Sequence, residues 1–183
     1  MRFTSIVFFL CLFSSFPAFA KNTKVFWNKA AKTVGVNGHT ETWNYQTDRL
    51  NKNGTSEAFL FIPDHASPDN IAVVVWFHGC GGYSDRTFDV RLAKQLKILD
   101  DRNLSYALVV PELHWSKNTS TTCGRQGRSF KKAGQLISFV NDSISRINSN
   151  FVNLGMKKAV NPRVIFVGHS AGGSVIKAAS ISG

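Results

Sequence analysis

The chain is 183 residues long, 43% hydrophobic and 18% charged, with a formal charge of +11. That composition excludes a disordered or fibrous chain and supplies apolar and aromatic side chains enough for one globular core. A basic excess points first to nucleic acid or an anionic surface, but from residue 116 onward ten Lys and Arg stand against one acid, Asp142, with only two adjacent pairs, Lys131-Lys132 and Lys157-Lys158. No basic helix face interleaves with aromatics, so the excess reads as a solvated surface and no nucleic-acid partner is expected.

The N-terminus carries Arg2, a mostly apolar run from Phe3 to Phe13, then Ser14, Ser15, Pro17 and Ala18-Phe19-Ala20. This is the three-part layout of a secretory signal peptide, with cleavage after Ala20. The run is shorter than the roughly 20 apolar residues of a spanning helix, so no membrane anchor is expected after cleavage, and the mature chain is expected to be secreted or periplasmic. Cleavage removes Cys11 and leaves Cys80 and Cys123, which in an exported protein are either a disulfide or two unpaired thiols.

Beyond Lys21 the chain reads as ill-defined to about Gly38. Thr40 to Tyr45 has the pattern of a strand, Asn53-Gly54 is a turn signal, and Glu57 to Ile62 is a strand stopped by Pro63. These form the antiparallel start of a sheet. Ile71 to Phe77 is a continuous apolar, β-branched run followed by glycines, which predicts a strand buried on both faces. Phe88, Leu92, Leu96 and Leu99 recur at helical spacing. Tyr106 to Val110 is the next buried strand, ended by Pro111. Phe130, Ala133, Ile137, Val140, Ile144, Ile147 and Phe151 trace an amphipathic helix. Val164 to Val167 is a third buried strand, and a helix of small residues follows from Ala171. Strands alternating with helices predict an α/β chain, a mostly parallel sheet with helices on both faces. Such sheets place ligands beyond the carboxyl ends of their strands.

Two motifs sit at those ends. Gly168-His169-Ser170-Ala171-Gly172 lies between a buried strand and a helix, the setting of a Gly-x-Ser-x-Gly nucleophile elbow. There a serine occupies a strained turn, and the glycines two residues away on either side let strand and helix pass closely. His78-Gly79-Cys80-Gly81-Gly82 directly follows the first buried strand. A glycine-rich loop lets backbone N–H groups approach a reacting carbonyl, where each such donor lowers an acyl-transfer barrier by about 3 kcal/mol.

With these motifs the sequence resembles the α/β-hydrolases, from their first strands to the helix after the nucleophile. The resemblance implies Ser170 as nucleophile and the N–H groups of Cys80 and Ala171 as an oxyanion hole. It further implies that residues 21–183 are the N-terminal part of an α/β-hydrolase domain, following a signal peptide over 1–20. The His-Gly-Cys-Gly-Gly spelling is similar to loops of dienelactone-hydrolase-like and polyester-depolymerase-like exported members, and Gly-His-Ser-x-Gly is common among lipases and carboxylesterases. The implied reaction is hydrolysis of a small-molecule or polymeric ester, without a cofactor. No histidine pair has metal-ligand spacing with a third ligand, so no metal is expected. At the family's loop position His78 supports the loop; His114 is a pocket-rim residue, and His39 and His65 fall in loops.

In this family the triad runs Ser, then Asp or Glu, then His. After Ser170 the 183 residues hold neither acid nor histidine. The expectation is a truncated form, its later strands missing, with low or no activity and with Val164 to Val167 left as an open apolar edge. Two other readings stand beside the hydrolase: a non-catalytic binding protein of the same fold, which keeps the pocket without a base, and a basic structural or surface-binding protein.

Overall fold

The computed structural model describes residues 3–8, 23–47, 56–80, 82, 87–113, 130 and 132–182, with only the backbone path for 3–8 and 181–182. The elements in chain order are β1 (Phe3–Phe8), α1 (Thr23–Val34), β2 (Gly38–Asn44), β3 (Glu57–Pro63), β4 (Ala72–Phe77), α2 (Val90–Asp101), β5 (Tyr106–Pro111), α3 (Gln135–Asn153), β6 (Arg163–His169) and α4 (Gly172–Ser182). They build a six-stranded sheet in the order β1-β6-β4-β5-β3-β2. The predicted class holds: β1, β6, β4 and β5 run parallel, while β3 is antiparallel to both β5 and β2.

The chain steps from β4 to β5 on one side and then crosses back over β4 to lay down β6 on the other. That reversal puts α2 and α3 on opposite faces. Trp27, Ala30 and Ala31 of α1 and Leu92, Ala93 and Leu96 of α2 pack on Phe59, Phe61, Tyr106, Leu108 and Val110. Phe139, Val140, Ile147 and Phe151 of α3 and Val175 and Ile176 of α4 pack on Leu60, Val73, Val75, Val109, Val164 and Phe166. Strands covered on both faces need apolar residues at every position, which is why β3 and β5 read as unbroken apolar runs. Every residue of β5 is buried.

Local signals set the element limits. Asp89 caps α2, its Oδ1 accepting from the N–H groups of Arg91 at 3.0 Å and Leu92 at 3.1 Å, which satisfies two donors that the helix itself leaves unpaired. The helix ends at Asp101, and just beyond it Asn103 takes φ 51, with the N–H groups of Leu104 and Asn103 returning to the carbonyls of Leu99 and Asp100. On the other face, Arg146 of α3 lies 4.7 Å from the Trp43 ring centre and pairs with Asp142 and Glu41. The Trp43 indole N–H donates to Asp142 at 2.7 Å. This cluster ties α3 to β2 across the sheet edge.

Four sequence expectations are corrected. The stretch read as ill-defined holds α1, whose buried side Trp27, Ala30, Ala31 is helical in spacing but carried largely by alanine among lysines, a weak apolar signal. Phe130 does not begin α3: the helix opens at Gln135 after Gly134 at φ 79. Phe130 instead fills the space between Tyr45, Phe77 and Phe139, with ring centres 5.3 to 5.8 Å apart. His39 lies on β2 rather than in a loop. Finally, β6 is not an open edge in the whole chain, because β1 pairs with it in parallel, Phe3 opposite Val164 through Phe8 opposite His169. β1 comes from the run read as the apolar core of a signal peptide; a mostly apolar hexapeptide, Phe-Thr-Ser-Ile-Val-Phe, satisfies either environment. The Asn53-Gly54 turn lies outside the described residues.

Deleting residues 1–20 therefore removes the strand that covers β6. Between Val164 and Val167 the alternate backbone amides that face β1 are expected to exchange with deuterium at least about tenfold faster in the shortened chain, while those that face β4 stay protected, because unpaired edge amides lie at the low end of local stability. Unchanged exchange across β6 would contradict the pairing.

Candidate active site

The parallel register of β4 with β6 sets Phe77 opposite Gly168. His78-Gly79-Cys80 after β4, and His169 at the end of β6 with Ser170-Ala171 after it, thus emerge side by side at one end of the sheet. β5 ends next to them with Glu112 and Leu113, both buried. This is the carboxyl end of the three parallel strands that flank the reversal of chain direction, where open α/β sheets bind ligands.

Steric packing makes the turn after β6. A Cβ on Gly168 would lie 2.7 Å from the Gly173 nitrogen and 2.8 Å from the Gly172 carbonyl carbon. A Cβ on Gly172 would collide with the carbonyl oxygen of Phe77, at the end of β4. Strand, turn and helix start therefore touch backbone to backbone. Between these two glycines Ser170 takes φ 53, one of three non-glycine residues with positive φ among those described, and it is exposed. Serine gains nothing from that conformation, so the surroundings impose it. The helix then begins with bonds from Gly173 N–H to the Ser170 carbonyl at 3.0 Å and from Ser174 N–H to the Ala171 carbonyl at 3.1 Å. The N–H groups of Ala171 and Gly172 are left without partners inside the helix, as the first donors of any helix are.

The loop after β4 is clamped by His78. The residue is 1% exposed, and its ring lies between two backbone groups. Leu113 donates its N–H to Nε2 at 2.9 Å, so Nε2 is unprotonated. Nδ1 then carries the hydrogen and donates to the Gly79 carbonyl at 2.7 Å. Burial holds the imidazole pKa down at about 4; the bond to the Gly79 carbonyl opposes this and the nearby His169 adds to it. His169 touches the same loop, since a Cβ on Gly79 would lie 2.6 Å from its Nδ1. Tyr45 completes the support by donating its hydroxyl to the Glu112 carbonyl at 2.7 Å, and its burial drives the phenol pKa upward.

The sequence-derived residues Ser170, Ala171 and Cys80 are thus brought to one end of the sheet on adjacent strands. Cys80 is exposed and disulfide-bonded, while Cys123 and His114 lie outside the described residues. His65 sits at the opposite end, 3.2 Å from the Leu104 carbonyl and 3.9 Å from Asp100. The His78–Leu113 clamp and Phe130 behind Phe77 are contributions that sequence reading misses, because each joins segments more than thirty residues apart. No group of three His, Cys, Asp or Glu side chains able to hold a metal occurs among the described residues.

No protein-family model matches the chain, and no curated protein does. Several solved structures are similar to it. An esterase of Pyrobaculum calidifontis is 17% identical, with 89% of this chain and 47% of that chain covered and a TM-score of 0.42. A cold-adapted esterase from an Arctic intertidal metagenomic library is 16% identical, with 80% and 60% covered and a TM-score of 0.46. A fungal esterase from Rhizomucor miehei is 15% identical, with 91% and 47% covered and a TM-score of 0.44. The chain spans about half the length of these structures.

Two predictions follow from the packing and from the clamp. Gly172→Ala should lose about 3 kcal/mol of stability, the upper range for forcing an atom into a filled site. Gly173→Ala meets nothing within 4 Å and should gain up to about 1 kcal/mol as alanine replaces glycine in a helix. Equal effects of the two in urea titrations would contradict the backbone contact. For His78 the folded pKa of about 4 lies below the ordinary 6.5, so the unfolded chain takes up its proton first. This contribution is complete above about pH 6.5 and is lost as pH falls toward about 4, on the order of 3 kcal/mol in all. His78→Gln should flatten that part of the stability profile, and an unchanged slope would show that His78 is not the group responsible.

Proposed function

We propose that the chain is the nucleophile-bearing part of a serine hydrolase of the α/β-hydrolase family, acting on ester or related acyl bonds through an acyl-enzyme on Ser170. The observation that carries this reading is the Ser170 turn. An exposed serine is held at φ 53 between Gly168 and Gly172, where no Cβ fits, beside a glycine-rich loop at the same sheet end. A turn needed only to reverse the chain has no requirement for a strained, outward serine.

In the proposed reaction the Ser170 Oγ attacks the acyl carbon and loses its proton to a base. The oxygen of the tetrahedral intermediate takes hydrogen bonds from the N–H groups of Cys80 and Ala171. Collapse expels the alcohol, leaving the acyl group on Oγ, and water then releases the acid. Fixing Cys80 matters because its N–H must hold a set position; the His78 clamp one residue before Gly79 and the disulfide at Cys80 both restrain it. The substrate class is a small-molecule or polymeric ester, with no cofactor. Cys123 is the proposed partner of Cys80. Residues 1–20 are proposed to direct export and to be cleaved after Ala20, placing the mature chain outside the cell or in a periplasm.

The base is not found among the described residues. Both nitrogens of His78 are engaged, His169 rests against Gly79, His65 is at the far end of the sheet, and His39 is on the distant strand β2. Without a base the hydroxyl stays protonated and weakly nucleophilic.

Accordingly the 183 residues should hydrolyse p-nitrophenyl acetate at least about a hundredfold more slowly than ordinary esterases, the lower limit of what a positioned base contributes. A fluorophosphonate probe should label the chain slowly and should not label Ser170→Ala. Equal labelling of both would remove Ser170 as nucleophile and favour the non-catalytic binding protein. Rapid Ser170-dependent turnover would mean that an upstream histidine, His114 first, reaches the serine.

A further inference from the structure

The last residues of α3 and the stretch that joins it to β6 present apolar side chains to solvent. Val152 is 48% exposed, Leu154 63%, Met156 40% and Val160 80%. These are half of the large exposed apolar residues among those described, gathered within nine positions. The segment is also basic. Lys157, Lys158 and Arg163 are exposed, and no Asp or Glu occurs anywhere after Asp142. Asp142 itself is engaged with Trp43 and Arg146. Among the described residues, the acid that pairs with the segment is Asp69, 2.6 Å from Lys157.

The segment is built rather than loose. α3 ends with the N–H of Met156 on the Phe151 carbonyl and that of Gly155 on the Val152 carbonyl, with Gly155 at φ 73. This is the paired closure of a Schellman turn. Farther along, Ala159 is buried and donates its N–H to the Asn148 side chain at 2.8 Å. Leu154, Met156 and Val160 are therefore displayed from a backbone pinned at both sides, so little ordering is needed when they are covered.

We propose that residues 152–163 are a docking surface for an anionic lipid bilayer, with Val152, Leu154, Met156 and Val160 entering the headgroup layer and Lys157, Lys158 and Arg163 facing lipid charge. Interfacial binding combines buried apolar area with attraction between Lys or Arg and anionic lipid, and both occur in this one acid-poor segment. A nucleic acid fits less well, because the twelve residues include no aromatic side chain for base stacking. A protein partner would need a pocket for each protruding side chain, whereas a headgroup layer accepts them as they stand. The attachment is to the surface: no helix among the described residues is long and apolar enough to cross a membrane.

The location has a consequence for the chemistry. The segment leads into the amino end of β6, and Ser170 follows its carboxyl end. Seven strand residues separate the two by roughly 20 Å. A chain held by this surface turns Ser170 away from the bilayer, toward substrates in solution. The docking itself does not depend on the hydrolase reading.

The test is co-sedimentation of the full chain with vesicles of phosphatidylcholine alone or with roughly one-third phosphatidylglycerol. The wild type should partition onto the anionic vesicles and little onto the neutral ones. Leu154→Ser with Val160→Ser, and separately Lys157→Gln with Lys158→Gln, should each weaken binding about fivefold or more. Salt at about 0.5 M should abolish most of the wild-type preference for anionic vesicles. Unchanged thermal midpoints would show that both double variants remain folded. All variants keep the apolar N-terminal run, so wild-type binding by both doubles would place attachment elsewhere and overturn the proposal. Equal partition onto neutral and anionic vesicles would overturn it too. Capture on an immobilised acidic polypeptide without vesicle binding would contradict the lipid assignment and indicate a protein partner.

Discussion

The start of α4 lies against the end of β4 with no side chain between them, and the position of Ser170 follows from that contact. Gly172 meets the Phe77 and His78 carbonyl groups, and Gly168 meets the Gly172-Gly173 backbone. Any Cβ at either position would push helix and strand apart. With both absent, the chain turns from β6 into α4 within a few residues, and the residue at the apex takes a left-handed conformation that serine otherwise avoids. The strain is local, and it is held by the two-faced packing of the sheet beneath.

That packing explains how the opposing loop is kept in register. β4 is central, with β5 on one side and β6 on the other, and both loops of the candidate site grow from adjacent strand ends. His78 fastens the β4 loop to the chain after β5 through two backbone bonds that only a neutral imidazole can make together: one nitrogen accepts while the other donates. Protonation would set an N–H against the Leu113 N–H. Behind the loop, Phe77, Phe130, Phe139 and Tyr45 form a connected aromatic group, and Tyr45 reaches Glu112. Loop, clamp and aromatic support thus form one continuous body reaching from β2 to β6.

The parts readable in the sequence were those governed by short-range rules. The unbroken apolar run at Tyr106 to Val110 marks a strand buried on both faces, whereas the runs at Ile71 to Phe77 and Val164 to Val167 mark strands with one face buried and the other half-buried at Val74, Trp76, Ile165 and Val167; the Gly168 to Gly172 spacing shows the turn and its serine. α1 escaped because its buried side uses two alanines beside Trp27, and alanine marks no face clearly. Spacing alone assigns Phe130 to α3, but Gly134 in a left-handed conformation resets the chain before the helix begins. The Phe3–Phe8 run fits either an export signal or a strand beside β6, and composition cannot separate two environments that both select apolar residues. The His78 clamp was not visible because its partner is a backbone N–H at Leu113, which carries no sequence signature.

The proposed acyl-transfer site joins Ser170 to the N–H groups of Cys80 and Ala171. A crystal structure of the chain after reaction with a small organophosphate ester tests it most directly. Phosphorus is expected on the Ser170 Oγ, with the phosphoryl oxygen about 2.7–3.1 Å from both backbone nitrogens, the range of a working oxyanion hole. A phosphoryl group on another residue, or one on Ser170 whose oxygen turns away from Cys80 and Ala171, would contradict it.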